Sequence, residues 1–509
     1  MSTLADPSNL GPAPAAAPAP EIHETISDRT RWFAFFAILL AQFMNLVDVT
    51  IVNVALPSMQ TGMGATESQI EWVVAGYILV FALGLLPMGR YGDIVGRKRL
   101  FLIGVAAFSA ASALCGMSGT IEMLVGARLI QGMAGAVMMP QVMAIAQTLF
   151  PPKQRGGAFA LFGLTAGLAS VTGPILGGTL INADLWGLGW RPIFLINVPI
   201  GIFAFIAAGR LLPHMAGNPK LRNDWVGIVF IAVAMLSLVF PLVEGRAMGW
   251  PVWCFALMAL SLPAFMGFVW WEARQERLGR PQLMPISLLK AWNFAIGALM
   301  SMVYFSALPA VFMVLALYLQ LGFGFDPLAS GLTTVPFPAG VLIGSILSGR
   351  LGARWQKERI LCGISMLWIG MFWLRTIVLG VGDMVDHWAF LPPLFVAGIG
   401  LSLSIAPLFQ TILAGVPVKD AGAGSGALQA IQQAGGALGI AIVSQMFFST
   451  LSTSMQAGAA RADAFGDALS TAMLYNLTAY VLVGVGALML RRPQYADGAA
   501  PNSPPVIIE

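Results

Sequence analysis

The sequence predicts an all-α integral membrane protein, built as two six-helix bundles with two extra helices inserted between them, about 14 crossings in all. Three observations predict it. The chain carries too little charge to cover a surface facing water. Its apolar runs recur at the length of a bilayer crossing, and its basic residues collect at alternate ends of those runs.

Of 509 residues, 58% are hydrophobic and 10% charged. A soluble domain carries roughly 25% charged residues, because something must face water, so most of this surface must face lipid. The net charge of +4 and pI near 9.1 raise a nucleic-acid partner as a question, and the placement of the charges answers it.

A hydrocarbon core about 30 Å thick needs about 20 apolar residues per helix. That ruler places crossings at 31–56, 70–89, 99–118, 121–149, 156–182 and 191–212, then at 225–243 and 251–271. Six more follow at 294–319, 329–349, 360–380, 388–416, 424–449 and 471–490. With the N-terminus inside, 22 of the 27 Lys and Arg residues fall on the cytoplasmic side and three (Arg191, Arg246, Arg461) outside, while Arg128 and Arg375 lie within crossings. Basic loops are retained in the cytoplasm. The split therefore supports an even number of crossings of the plasma (bacterial inner) membrane, both termini cytoplasmic, with lipid rather than nucleic acid around the chain.

Residues 1–30, with their GPAPAAAPAP tract, read as a disordered cytoplasmic tail. The segment is acidic and proline-rich and has no apolar core, so it makes a poor signal peptide. Residues 493–509 read as a second cytoplasmic tail.

Repetition sets the domain plan. Gly89, Arg90, Gly92 and Arg99 match Gly349, Arg350, Gly352 and Arg359 at a constant offset of 260. Lys153, Gly156 and Gly173 match Lys419, Gly422 and Gly439 at an offset of 266. Parallel repeats of this kind are a transporter architecture. The halves are 31–212 and 294–492, joined by a linker, 213–293, that carries the two extra helices.

Other function classes find little support. Cys115, Cys254 and Cys362 are single and far apart, unlike a disulfide or metal framework, and His23, His214 and His387 fall outside the apolar runs. No lysine follows a glycine, which excludes a G-x-x-x-x-G-K-[ST] phosphate loop. An enzyme would need convergent His, Asp or Glu residues, and a sensor would need a sizeable soluble domain. The expectation is no enzyme, no metal and no cofactor beyond a proton as coupling ion.

Asp48, within VDVTIVNVALP (47–57) of the first crossing, is the carboxylate well inside a crossing; the other acids sit at span ends or in loops. An ionised carboxylate in hydrocarbon costs several kcal/mol unless paired or hydrated. Gln42, Asn45 and Asn53 fall within about 140° of the same face at 3.6 residues per turn, so that face should line a cavity. Arg128, within RLIQGMAGAVMMP (128–140) of the fourth crossing, is equally out of place in lipid. Asp48 lies about 12 Å and Arg128 about 10 Å from the outer ends of their crossings, a similar depth, which makes an ion pair feasible. Two readings stay open: a structural polar cluster, or a carboxylate that binds and releases protons.

The loop GRYGDIVGRKR (89–99) supplies Gly89, Asp93, Gly96, Arg97 and Arg99. Its glycines let helix ends approach. Asp93 can accept from Arg97 or from a helix N-terminus in the other half, which would latch the cytoplasmic side. The second copy has Ala353 at the Asp93 position. In GLTAGLASVTGPILGG (163–178), Gly163, Gly167, Gly173, Gly177 and Gly178 make a small-residue face and Pro174 weakens the backbone ladder. Close helix packing is the plain reading. Gln131, Gln429, Gln432, Gln433 and Gln410 could bond a substrate or join helices to one another.

These motifs, in this order, resemble the major facilitator superfamily, specifically its fourteen-helix drug:H+ antiporter family, over residues 31–492. WRPIFLINVPIG (190–201) and GAGSGALQAIQQAGGALGIA (422–441) share the likeness. The resemblance implies proton-coupled efflux of small hydrophobic or amphipathic compounds such as drugs, with Asp48 and Arg128 in proton coupling. It also implies a latch at residues 89–99 and an antiporter signature in GPILGG. A dedicated metabolite exporter, or an importer of the same fold, is the alternative. The family permits a periplasmic adaptor and an outer-membrane channel in cells that have an outer membrane.

Overall fold

A computed structural model of the chain describes residues 27–150, 152–219, 222–280, 282–284, 286–351, 355–380, 386–413, 416 and 421–491. The terminal tails, Ala353 and Lys419 lie outside the described residues, and so do the surroundings of Gly163.

The chain is helical, with no strand among the described residues. The first half comprises α1 (Asp28–Met63), α2 (Glu67–Val95), α3 (Arg97–Gly116), α4 (Ile121–Leu149), α5 (Pro152–Asn182) and α6 (Asn197–Leu211), the last preceded by a single turn, Pro192–Leu195. Two more, α7 (Trp225–Glu244) and α8 (Val252–Arg277), precede the second half. That half comprises α9 (Trp292–Leu317), α10 in two pieces (Pro327–Thr334 and Pro336–Leu351), α11 (Gln356–Gly380), α12 (Leu391–Leu413), α13 (Ala421–Gln456) and α14 (Arg461–Met489). Thirteen of these segments are long and apolar enough to cross a membrane, and the 31-residue α5 stands where the sequence expects the fifth crossing.

Local chemistry explains where helices begin. The Ser27 hydroxyl accepts from Thr30 N at the start of α1, and Thr66 with Gln69 forms a reciprocal capping box on α2. Asp224 caps α7, while Asp326 caps α10 ahead of Pro327, which needs no N–H bond in the first turn. Pro336 and Pro338 break α10 into its two pieces, because neither can donate to the turn before it.

Within the first half α4 packs against α2 and α3, and α1 against α5 and α6; in the second, α12 packs against α10 and α11, and α9 against α13 and α14. The halves meet along α2 and α13 and again where α5 faces α10. The inserted pair is peripheral. Only 22% of the most apolar stretch of α8 is buried, against 67% for α1, which leaves Phe255, Leu262, Phe265 and Met266 exposed as a lipid-facing surface requires.

An even number of crossings puts the ends of α1 and α14 at the same end of the bundle, here the near end, which also carries residues 89–99. At the far end the halves are closed on each other. Asn182 Nδ2 donates to Asp326 Oδ1 at 2.9 Å, and Gln320 Nε2 donates to the Val54 carbonyl at 2.8 Å. Gln320 can reach because α9 ends in a π turn, Tyr318–Gly322.

Candidate functional site

Asp48 is wholly buried, 0% exposed, and Arg128 is 1% exposed. Arg128 Nη1 donates to Asp48 Oδ2 at 2.6 Å and to Gln131 Oε1 at 2.6 Å, and its Nε donates to the Val73 carbonyl of α2 at 3.0 Å. The pair is therefore direct. Gln131 Nε2 donates to Asp48 Oδ1 at 2.8 Å and to Ser112 Oγ at 2.8 Å. Asn197 Nδ2 reaches the same carboxylate oxygen at 2.9 Å. Three donors converge on one carboxylate, which matches an ionised, acceptor-only group.

Helical spacing produces the arrangement. Arg128 and Gln131 are three residues apart on one face of α4, as are Ser112 and Cys115 on α3. Cys115 Sγ lies 3.6 Å from Gln131 Oε1. Tyr77 of α2 lays its ring 4.1 Å from the Arg128 guanidinium carbon, and its hydroxyl accepts from Asn45 Nδ2 at 2.7 Å. The flat guanidinium thus has an aromatic face beside it and acceptors at its rim. All these helices belong to the first half.

Asn197, Tyr77 and Ser112 are members that sequence reasoning missed. Asn197 carried a signal, an amide inside the apolar run IFLINVPIG. Ser112 carried none, since small hydroxyls are common in crossings. Gln42 is also buried, and its Oε1 has no hydrogen-bond partner. Gln429 is exposed and Gln433 half-buried. Both lie on the side of α13 that carries Gly426 and Gly436, positions that abut Leu86 and Ile78 of α2.

Asp48 is not the sole buried acid, although the others lie near helix ends. The helices run past the drawn crossings, so Glu71 sits one turn inside α2, 2% exposed, and Glu272 near the end of α8 is 0% exposed. Glu272 Oε2 accepts the N–H groups of Leu283 and Met284, a structural tie to the loop that follows.

Residues 89–99, expected as a loop, instead close α2 and open α3 with only Gly96 between them, and among the described residues the Asp93 and Arg97 side chains bond within the first half. Asp93 Oδ1 accepts from Arg97 Nε at 3.0 Å, and Arg97 Nη1 also donates to the Ala144 carbonyl at 3.2 Å. The Asp93 carbonyl accepts from Asn218 N at 2.8 Å, so the segment after α6 lies on this stretch. Gly96 turns with φ +107°, and a Cβ there would stand 2.5 Å from the Met215 carbonyl oxygen. Gly89 faces Pro140, and Arg99 is exposed.

The glycines of α5 serve two neighbours. A Cβ at Gly173 would strike Thr50 of α1, and one at Gly177 would lie 2.8 Å from Ile51 Cγ1. Positions Gly167 and Gly178 face the other half instead, against Leu342 and Leu328 of α10, and a Cβ at Gly331 would stand 2.6 Å from the Pro174 carbonyl oxygen. The stretch GPILGG is thus a close-packing face between α1 and the second half.

The matching family model is the Major Facilitator Superfamily, over residues 38–440. The chain belongs to that superfamily. It is 40% identical over 463 residues to the probable actinorhodin transporter of Streptomyces coelicolor, covering 89% of this chain and 78% of that protein. It is 30% identical over 422 residues to the tetracenomycin C resistance and export protein of Streptomyces glaucescens, covering 82% and 76%. Among solved structures, a bacterial homolog to the human lysosomal transporter Spinster, in an inward-facing and occupied conformation, aligns with a TM-score of 0.62 and 15% identity, over 91% of this chain and 97% of that one. That likeness speaks to the fold. As a member of this superfamily the protein is a membrane transporter and not an enzyme.

Proposed function

We propose that the protein exports small hydrophobic or amphipathic compounds, drugs among them, in exchange for protons entering the cell. The near end is then cytoplasmic, as its basic loops favour. The observation that carries the reading is the sealed Asp48–Arg128 pair at the centre of the first half. A carboxylate held by Arg128, Gln131 and Asn197 and sealed from water can exchange a proton only when an opening reaches it. Opening the far end would admit water to Asp48 and let it take a proton; Arg128 would keep the Val73 carbonyl, Gln131 and the Tyr77 ring. Closing that end and opening the near one would return the proton to the cytoplasm. The membrane potential alone contributes roughly 2.3 kcal/mol per charge per 100 mV. The resistance and export names of the relatives support the outward direction.

A narrower reading, export of one dedicated compound, is favoured by relatives named for a single substance, such as the methylenomycin A resistance protein of Bacillus subtilis. One experiment addresses both. Inverted vesicles carrying the purified protein and a pH-sensitive dye are given a proton gradient and a panel of hydrophobic drugs. Drug-dependent proton release that disappears in Asp48→Asn supports antiport. A response to a single compound selects the narrow reading, and release that persists in Asp48→Asn removes Asp48 as the carrier.

A further inference from the structure

The near end of α3 and α6 carries a cleft that the transport mechanism does not use. Its volume is about 610 Å³, and its lining includes Lys98, Arg99, Leu102, Ile103, Phe205 and His214. The wall is apolar and belongs to membrane-spanning helices: Ile103 is 51% and Phe205 40% exposed, so both face hydrocarbon. The rim is cationic, and no acid lines it among the described residues.

The motif from which Arg99 comes does not occupy it. Arg97 makes the intramolecular contacts of that stretch, whereas Arg99 is exposed and has no ion pair among the described residues. Its repeat partner behaves differently. Arg359 is 6% exposed and donates to the Ser348 carbonyl at 3.1 Å. The two halves have therefore diverged at this position, inward in the second and outward in the first. Lys98 is anchored by the Leu212 carbonyl, which fixes its ammonium beside the cleft with further N–H groups to spare. The first turn of α3 has no side-chain cap, so its backbone N–H groups add positive potential at the same place.

We propose that this cleft binds an anionic phospholipid. The phosphate would lie among Lys98, Arg99 and His214, and the acyl chains along Leu102, Ile103 and Phe205. A cationic rim above a lipid-facing apolar wall fits a molecule that is anionic at one end and hydrocarbon at the other. Basic residues at a membrane surface attract such lipids. The lipid would also cover the segment 212–218, which rests on residues 89–99, and so tie them to the bilayer. Only the leaflet, not the site, rests on the orientation proposed above.

The test uses the full chain in detergent. Retention of phosphatidylglycerol is measured by native mass spectrometry, with phosphatidylcholine and inorganic phosphate as comparison probes. Wild type should retain phosphatidylglycerol preferentially. Arg99→Gln should weaken that retention on the order of fivefold, and adding His214→Gln should weaken it further by removing a hydrogen-bonding group from the rim, with the unfolding midpoint in phosphatidylcholine unchanged. Equal retention of the two lipids would overturn the proposal, as would a double variant that binds phosphatidylglycerol like wild type. Full displacement of the lipid by inorganic phosphate would overturn it in favour of a simple anion site. Because the readout is binding, a failure of proton-coupled export leaves this result unaffected.

Discussion

Arg128 holds Asp48 at 2.6 Å across 80 residues of chain, with both side chains out of contact with solvent. Such a pair costs several kcal/mol of desolvation per ion, offset only by good geometry and further hydrogen bonds. Here those bonds come from Gln131 and Asn197.

Removing one partner should therefore differ from removing both. Arg128→Ala leaves an uncompensated buried carboxylate and should lower stability by about 3–5 kcal/mol, read as a depressed unfolding midpoint. Adding Asp48→Asn should recover much of that loss, because the amide carries no charge, yet coupling should stay absent. A double variant no more stable than Arg128→Ala alone would mean that the arginine acts mainly through the Val73 carbonyl and the Tyr77 ring.

The fold was legible because a bilayer imposes one length and one sign rule on every crossing. The apolar run 121–149 coincides with α4. Ends were less legible where caps extend helices beyond the apolar run: the Thr66–Gln69 capping box carries α2 back to Glu67 and so draws Glu71 inside. The Asp48–Arg128 pair could be read from depth alone, since two lone charges in apolar runs stand out. Tyr77 and Ser112 could not, because their role depends on which helix faces which, and a single sequence does not contain that. The direction of Arg99 was hidden for the same reason: the repeat makes it equivalent to Arg359, and packing then separates them.

The α5 glycines predict two distinct phenotypes from one motif. Gly178→Leu would push against Leu328 and Pro327 of α10, prying the far end apart without touching α1. In a variant lacking Cys115, Cys254 and Cys362, a cysteine replacing Val54, which is 3% exposed beneath Gln320, should become several-fold more reactive to an impermeant maleimide. Gly177→Leu presses on Ile51 within the first half. It should instead lower the unfolding midpoint, by about 1–3 kcal/mol for overpacking.

Far-end closure should also be sensitive to acid. Asp326 is held below the usual carboxylate range by the N–H of Ala329 and by the Asn182 amide, with Leu328 N adding to them. A depressed value means that the bond supports closure above the ordinary carboxylate range and is lost as pH falls through the depressed one. Part of that support, the Asn182 contact, exists only when the halves are together. Spin labels at Trp186 and Trp388, both exposed, should report a wider far end on acidification. In Asp326→Asn the pH dependence should flatten. An unchanged pH response in that variant would assign the effect to another carboxylate.

The inserted hairpin reaches the same end and should strap it. Arg246, in the turn between α7 and α8, pairs with Glu67 of α2 and lies 5.1 Å over the ring of Phe448 of α13, so one side chain touches both halves. Beside it Trp72 Nε1 donates to Glu244 Oε1 at 2.7 Å. Glu71 lies beneath, with Oε2 buried and unpartnered. Three acids thus cluster around one cation, of which Glu67 is ion-paired with it. Arg246→Ala should destabilise the protein by more than a surface ion pair, whose usual worth is about 0–1 kcal/mol, since it also removes the contact with the Phe448 ring and empties the space beside buried Glu71. Glu71→Gln should alter that excess. Across the double-mutant cycle the coupling should reach about 0.5–3 kcal/mol, measured from unfolding midpoints in one detergent. Strict additivity would show that Arg246 acts through Glu67 and Phe448 alone.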